Sequence, residues 1–229
     1  MKIFILAAGL GTRLGNFTKD IPKPMADING KPFLKYVLES YKTRDFNDFI
    51  LCVGYKSEVI KKYFGNGSKF GLNIKYSTSA KPLGTAGEIK NATKFIDDTF
   101  IVSNGDTFSD VNLMEAIMFH KKNNAIITIV CSKSNNEDRS GGVIIKNNII
   151  TAFDEKTERN LINSGVYICE PNITDILNNI DKENISFEYD IFPKLLKEKK
   201  IYGFVTDKTF IDIGIPKSLE NFRNIINTK

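Results

Sequence analysis

Thiol and imidazole groups, the side chains behind most nucleophilic and zinc chemistry, are scarce in this chain. Its three cysteines, Cys52, Cys131 and Cys169, lie far apart inside apolar runs. That spacing offers no metal-ligand pair and no disulfide framework, and a free cysteine in such a run behaves as a small hydrophobe in a reducing cytoplasm. The single histidine, His120, falls in a helical stretch, so any mechanism built on an imidazole base would rest on that one residue. Long apolar runs are missing too. None approaches the roughly 18 residues needed to cross a bilayer, and the N-terminal run breaks at Gly9 before it takes the form of a signal peptide. A soluble, cytoplasmic protein with no membrane partner is expected. Charge of one sign is also in short supply, since 32 Lys+Arg against 27 Asp+Glu are spread along the chain. Such a mild excess does not imply nucleic acid. With 229 residues, 41% of them hydrophobic and 26% charged, the composition suits one globular domain with one large core.

What the chain does have is concentrated between Lys2 and Met25. Ile3-Phe4-Ile5-Leu6-Ala7-Ala8 is a nearly continuous apolar run that stops at Gly9, the pattern of a strand buried on both faces of a parallel sheet. Gly9-Leu10-Gly11-Thr12-Arg13-Leu14 then lets backbone N–H groups approach an anion, because glycine accepts φ > 0 and brings no side chain. Arg13 adds a permanently charged planar fork suited to phosphate. In Ile21-Pro22-Lys23-Pro24-Met25, two prolines stiffen the backbone on either side of Lys23. A dinucleotide-binding fingerprint would need a third small residue where Leu14 stands, and an acidic ribose ligand where Lys31-Pro32 opens a helix. Taken singly, each of these residues also fits a plain strand-to-helix turn and a solvated loop lysine.

Downstream, Phe33, Leu34, Val37, Leu38 and Tyr41 share one helical face, with Pro32 in the first turn. The run from Phe49 to Gly54 repeats the buried-strand pattern and that from Ser57 to Phe64 supplies the next helix, so a parallel sheet is expected. Leu72 to Tyr76 alternates as a further strand. Lys81-Pro82-Leu83-Gly84 makes a turn, and Thr85-x-x-Glu88 reads as a capping box for a helix that directs Ile89, Ala92, Phe95 and Ile96 inward. The strand from Thr99 ends at Asn104-Gly105-Asp106, placing a carboxylate at the sheet edge where open α/β folds bind ligands. A carboxylate beside phosphates suits Mg²⁺. The spacing of Asp106-Thr107, by itself, favours a helix cap. Ala125 to Cys131 and Ile162 to Tyr167 read as strands, the latter with Gly165 allowing close approach, and Glu155-Lys156 as a surface ion pair of small energetic value. Asp212 stands between Ile211 and Ile213, where a lone charge is costly without a partner; a metal shared with Asp106 would be one. A last helix is expected from Pro216 to Ile226.

Leu6-Ala7-Ala8-Gly9-Leu10-Gly11-Thr12-Arg13-Leu14, followed by Ile21-Pro22-Lys23-Pro24-Met25, resembles the signature of the sugar-1-phosphate nucleotidyltransferases. The resemblance implies a single α/β domain, Rossmann-like, whose mixed, mostly parallel sheet is flanked by helices. Its nucleotide-binding part would span about 1–110 and its sugar-binding part about 111–215. Leu6, Ala7, Ala8, Gly9, Gly11, Thr12, Arg13, Lys23, Leu83, Gly84, Thr85, Asn104 and Gly105 are thereby expected around an NTP. Gly141, Glu155, Lys156 and Asn163 are expected around a sugar 1-phosphate, and Asp106 and Asp212 around Mg²⁺. Arg13, Lys23 and Asp106 are the implied catalytic residues. Two departures from the family pattern are visible: Gly15 follows Leu14 where many relatives carry proline, and Ser140 replaces an aromatic residue.

The implied reaction is attack of a sugar-1-phosphate oxygen on the α-phosphorus of the NTP, giving an NDP-sugar and pyrophosphate. That nucleophile is already ionised at neutral pH, so His120 can be idle. Relatives that use uracil or thymine often carry glutamine near the turn before Thr85, and none stands here, which tilts toward another base. Asp20 to Met25, Tyr55 to Ile60, Asn104 to Phe108 and Phe210 to Gly214 are most similar to small bacterial guanylyltransferases acting on D-glycero-α-D-manno-heptose 1-phosphate. Mannose-1-phosphate guanylyltransferases, other uridylyl or cytidylyl enzymes, and a silent nucleotide-sugar sensor stay open as alternatives. The resemblance also allows a homodimer.

Overall fold

The strand anticipated from the first apolar run, β1 (Ile3–Ala7), lies inside the main sheet with neighbours on both sides. The computed structural model describes residues 1–9, 21–133, 142–154 and 161–227. After β1 come a 3-10 turn at Lys23–Met25, the small hairpin of β2 (Asp27–Ile28) and β3 (Lys31–Pro32), and α1 (Phe33–Lys42). Alternation continues through β4 (Asp48–Val53), α2 (Ser57–Phe64), β5 (Asn73–Thr78), α3 (Thr85–Asn91) and β6 (Phe100–Asn104). A short β7 (Thr107–Ser109), α4 (Leu113–Lys122), β8 (Ile127–Lys133), β9 (Gly142–Lys146), β10 (Ile149–Asp154) and β11 (Leu161–Cys169) follow. The described chain ends with α5 (Ile173–Asn178), α6 (Phe192–Lys197), β12 (Ile201–Thr206), β13 (Phe210–Asp212) and α7 (Pro216–Asn227).

Nine strands form one sheet in the order β5-β4-β1-β6-β11-β8-β12-β10-β9. From β5 to β6 every pairing is parallel, and β12 is parallel to β8. Only β11 and β10 run against the common direction. The sheet is therefore mixed, with most strands pointing one way. The carboxyl ends of β1, β4, β5 and β6 share one edge, which is where the site forms.

Burial follows the period of two expected along a strand. Ile3, Ile5 and Ala7 face a core built with α1, α2, α4 and α7, while Phe4 faces a second core built with α3, α5 and α6. Edge-on ring contacts join the layers, Phe33 to Phe222 at 4.9 Å and Phe4 to Phe100 at 5.0 Å. Truncating a ring as buried as Phe33 costs roughly 3–5 kcal/mol. The three cysteines are free and buried, and burial pushes the Cys131 thiol up to about 12. Pro32 sits at the N-cap of α1, one position before the expected first turn. No helix among the described residues is long and apolar enough to cross a membrane.

Candidate active site

The turn after β6 is pressed against the end of β1. Gly105 N–H donates to the Leu6 carbonyl at 2.9 Å, and a Cβ on Gly105 would stand 2.8 Å from that same oxygen. Glycine is required there by space. Asp106 follows at once and leads into β7, so it caps no helix; the N-cap of α4 is Asn112, whose side chain accepts from the Glu115 N–H. β7 pairs antiparallel with β13, setting Thr107 opposite Asp212, and the Ile213 N–H donates to the Asp106 carbonyl at 3.0 Å. This pairing joins two carboxylates that the sequence holds far apart. Asp212 Oδ1 accepts the Gly214 N–H at 2.6 Å, which aims the carboxylate.

Lys23 enters from the 3-10 turn. Pro22 caps that turn at φ −67°, Pro24 lies within it, and the buried Pro24 and Met25 anchor it to the core. The Lys23 ammonium lies 2.5 Å from Asp106 Oδ2 and 3.5 Å from Asp212 Oδ1. The lysine side chain is only 13% exposed, against 33% and 45% for the two acids. One cation thus faces two oxygen donors at the carboxyl edge of β6.

A cleft of about 290 Å³ opens beside this cluster. Of the residues expected around a nucleotide, Leu6, Ala8, Gly9, Gly84, Thr85 and Asn104 line it, as does Asp106. Ala7 points instead into the core, Leu83 spends its carbonyl on the Ile185 N–H at 2.7 Å, and Gly105 packs behind Leu6. Asn163 is engaged within the fold, donating to the Tyr167 hydroxyl at 3.0 Å and accepting from the Gly165 N–H at 2.9 Å. Gly11, Thr12, Arg13, Gly141, Glu155 and Lys156 lie outside the described residues.

The capping box expected at the start of α3 is not formed. Gly84, at φ +78°, is the N-cap, and a Cβ there would meet the Ile185 carbonyl at 2.5 Å. Thr85 Oγ1 accepts the Phe187 N–H at 2.9 Å and donates to Glu188 Oε2 at 3.1 Å. Glu88 turns inward, and its Oε1 accepts the Ser79 hydroxyl at 2.7 Å. Burial pushes the Glu88 carboxyl above the usual carboxylate range, while the Ser79 hydroxyl and the Leu83 backbone pull it back. Glu88, Pro82 and Asn184 complete the cleft wall, and none of them was among the residues named for the nucleotide. The cue for Glu88 was the one that drew attention to Asp212, an acid set between residues of a buried face, here Ala86 and Ile89. Asn184 has no local signal.

His120 is far from this chemistry. It is buried near the opposite edge, with Nδ1 2.8 Å from Thr128 Oγ1 and Nε2 3.0 Å from Glu170 Oε1. Burial holds its pKa below the ordinary imidazole value despite the Glu170 carboxylate.

A glycine-bounded cleft at the carboxyl edge of a largely parallel sheet, beside a lysine and two aspartates, belongs to the class of α/β proteins that bind ligands at their strand ends. The chain belongs to the nucleotidyl transferase family, which it matches over residues 2–229. It is 40% identical over 226 residues to a D-glycero-alpha-D-manno-heptose 1-phosphate guanylyltransferase of Campylobacter jejuni, covering 97% of this chain and 98% of that one. A mannose-1-phosphate guanyltransferase of Yarrowia lipolytica is 38% identical, with 95% of this chain matching 61% of that longer protein. Among solved structures, HddC from Yersinia pseudotuberculosis complexed with GMP-PN superposes with a TM-score of 0.85 at 33% identity, covering 98% of this chain and 99% of that one.

Proposed function

We propose that this chain transfers a guanylyl group from GTP to D-glycero-α-D-manno-heptose 1-phosphate, forming the GDP-sugar and releasing pyrophosphate. Supporting the acceptor and the base are the full-length similarity to an enzyme so named and to a structure holding GMP-PN. The observation that carries the chemistry is the meeting of Lys23, Asp106 and Asp212 at the end of the cleft. In the reaction, a phosphate oxygen of the sugar 1-phosphate forms a bond to the α-phosphorus. The bond from that phosphorus to the bridging oxygen of the β-phosphate breaks, and its electron pair leaves with pyrophosphate.

Catalysis here is a matter of holding two anions together and neutralising charge, because the nucleophile needs no base. That fits a site whose Lys23 is fixed between prolines, in a chain whose His120 is occupied elsewhere. Asp106 and Asp212 offer only oxygen donors and already face a common cation, the Lys23 ammonium, which is the donor set of a Mg²⁺ bound through two carboxylates and substrate phosphates. Mg²⁺ held there would supply charge neutralisation on the phosphates. Lys23 bridges the nucleotide and the sugar phosphate, Arg13 holds the departing phosphates, and Lys156 with Glu155 receives the sugar phosphate and its hydroxyls. On this reading, residues from about 1 to 110 hold the nucleotide and those from about 111 to 215 the sugar.

The test is a pyrophosphate-release assay crossing the four common NTPs with heptose and mannose 1-phosphates, with and without a chelator. Turnover is expected with GTP and the heptose phosphate and is expected to vanish with EDTA. The similarity to the mannose-1-phosphate enzyme makes mannose 1-phosphate the second acceptor. No pyrophosphate from any pair would end the proposal.

A further inference from the structure

Glu88 is a buried carboxylate in a ligand cleft with acceptor capacity left over. It is 4% exposed and forms part of the cleft wall. Ser79 occupies Oε1 and the Leu83 backbone lies beside the carboxyl, yet Oε2 makes no hydrogen bond among the described residues. A buried acceptor in that state is costly, more so when ionised, and native proteins rarely keep one unless something else satisfies it. Within the fold Glu88 is not needed as a helix cap, since Gly84 serves α3. The Ser79 hydroxyl donates to it, which favours the ionised form and fixes one oxygen.

The rest of the cleft orients whatever enters. Asp106 stands in its wall and brings the Lys23 cluster to that side. Leu6, Ala8 and Pro82 offer apolar surface for a planar ring. An ionised carboxylate in the cleft wall accepts hydrogen bonds and gives none. Among the common bases, guanine alone presents two adjacent N–H donors, N1–H and the 2-amino group, on its Watson–Crick edge. Adenine and cytosine place a ring acceptor beside their amino group, and uracil flanks its one N–H with two carbonyls. Each of these turns an oxygen or nitrogen lone pair toward an anion.

We infer that Glu88 is the residue that selects the base, its carboxylate accepting from the N1–H and 2-amino edge of guanine while Ser79 holds it in place. This inference rests on the proposed guanylyl transfer and names the side chain that makes the substrate GTP. Charge-assisted contacts of this kind reject an analogue lacking the donor, because a buried acceptor is then left unpaired.

The experiment compares GTP with ITP, which lacks only the 2-amino group, in wild-type protein, Glu88→Gln and Ser79→Ala. The wild type is expected to favour GTP over ITP by about 100-fold in kcat/KM, and Glu88→Gln to reduce that preference to within about threefold, since Gln turns a donor toward guanine's donors. Ser79→Ala is expected to retain a preference of about 10-fold, because the carboxylate remains but is less firmly placed. Circular dichroism and melting of Glu88→Gln show whether it is folded, and equilibrium binding of GMP and IMP gives the same ratio without turnover. A purely structural tie between α3 and β5 would lower the melting temperature and leave the GTP/ITP ratio untouched. That outcome overturns the inference while leaving guanylyl transfer standing; absence of any NTP turnover in the wild type would remove the reading beneath it.

Discussion

Two polar clusters sit at opposite edges of the same sheet, and they are wired differently. At the amino end of β6 and β8, Thr99, His120, Thr128 and Glu170 close on one another, with Glu170 Oε1 accepting from the Thr99 hydroxyl at 2.8 Å and lying 3.0 Å from His120 Nε2. Both imidazole nitrogens are engaged. At the carboxyl end of β6, Lys23 serves two aspartates and, among the described residues, Glu88 Oε2 has no partner. The first cluster has satisfied itself and contributes rigidity; the second retains charge and acceptor capacity that a ligand can complete. Similar residue types therefore do opposite work, according to which edge they occupy.

Substitutions at the carboxyl edge should break that contrast most visibly. Asp106→Ala and Lys23→Ala are each expected to lower kcat/KM by roughly 100-fold or more, about 3 kcal/mol of transition-state stabilisation, while the melting temperature moves by only a few degrees. Steady-state pyrophosphate release and calorimetry on the same preparations decide it. At the amino edge the pattern reverses. His120→Ala takes the imidazole away from Thr128 and leaves Glu170 the Thr99 hydroxyl, and it opens a cavity, which should cost about 2–3 kcal/mol and lower the melting temperature by about 5–10 °C with kcat/KM at 25 °C unchanged.

Gly105→Ala tests the joint between β1 and the Asp106 turn. Its new Cβ would press on the Leu6 carbonyl, and a loss of about tenfold in kcat/KM with a destabilisation of about 1–3 kcal/mol is expected. The smallest effect concerns pH. Because the folded His120 pKa is depressed below its ordinary 6.5, the unfolded chain takes up the proton first. The stability of the neutral form is complete above about pH 6.5 and is lost as pH falls below it toward the folded value. His120→Gln should flatten the melting temperature against pH in that window, and an unchanged slope would show that another group carries it.

Much of the parallel half was legible, because runs such as Ile3 to Ala8 and Thr99 to Asn104 are buried on both faces and end at glycine or a carboxylate. The prolines around Lys23 and the acid between Ile211 and Ile213 likewise announced unusual side chains. The capping box at Thr85 and Glu88 shows where local spacing misleads. Two residues with the right separation were present, yet the segment from Asn184 to Glu188 packs against this turn, takes the Thr85 hydroxyl and leaves Glu88 to turn toward Ser79. The reversed direction of β11 was equally silent, since a buried strand looks alike whichever way it runs.

Composition, burial pattern and the glycine and proline punctuation were enough for the class of fold, because these depend on near neighbours in the chain, whereas Lys23, Asp106 and Asp212 were singled out as a group only through the family resemblance. Which acids share a cation, and which carboxylate is left with a spare oxygen in a cleft, depended on contacts between distant segments. The β7–β13 pairing and the Ser79–Glu88 hydrogen bond supply those contacts, and a one-dimensional pattern carries no information about which distant segments will pack together.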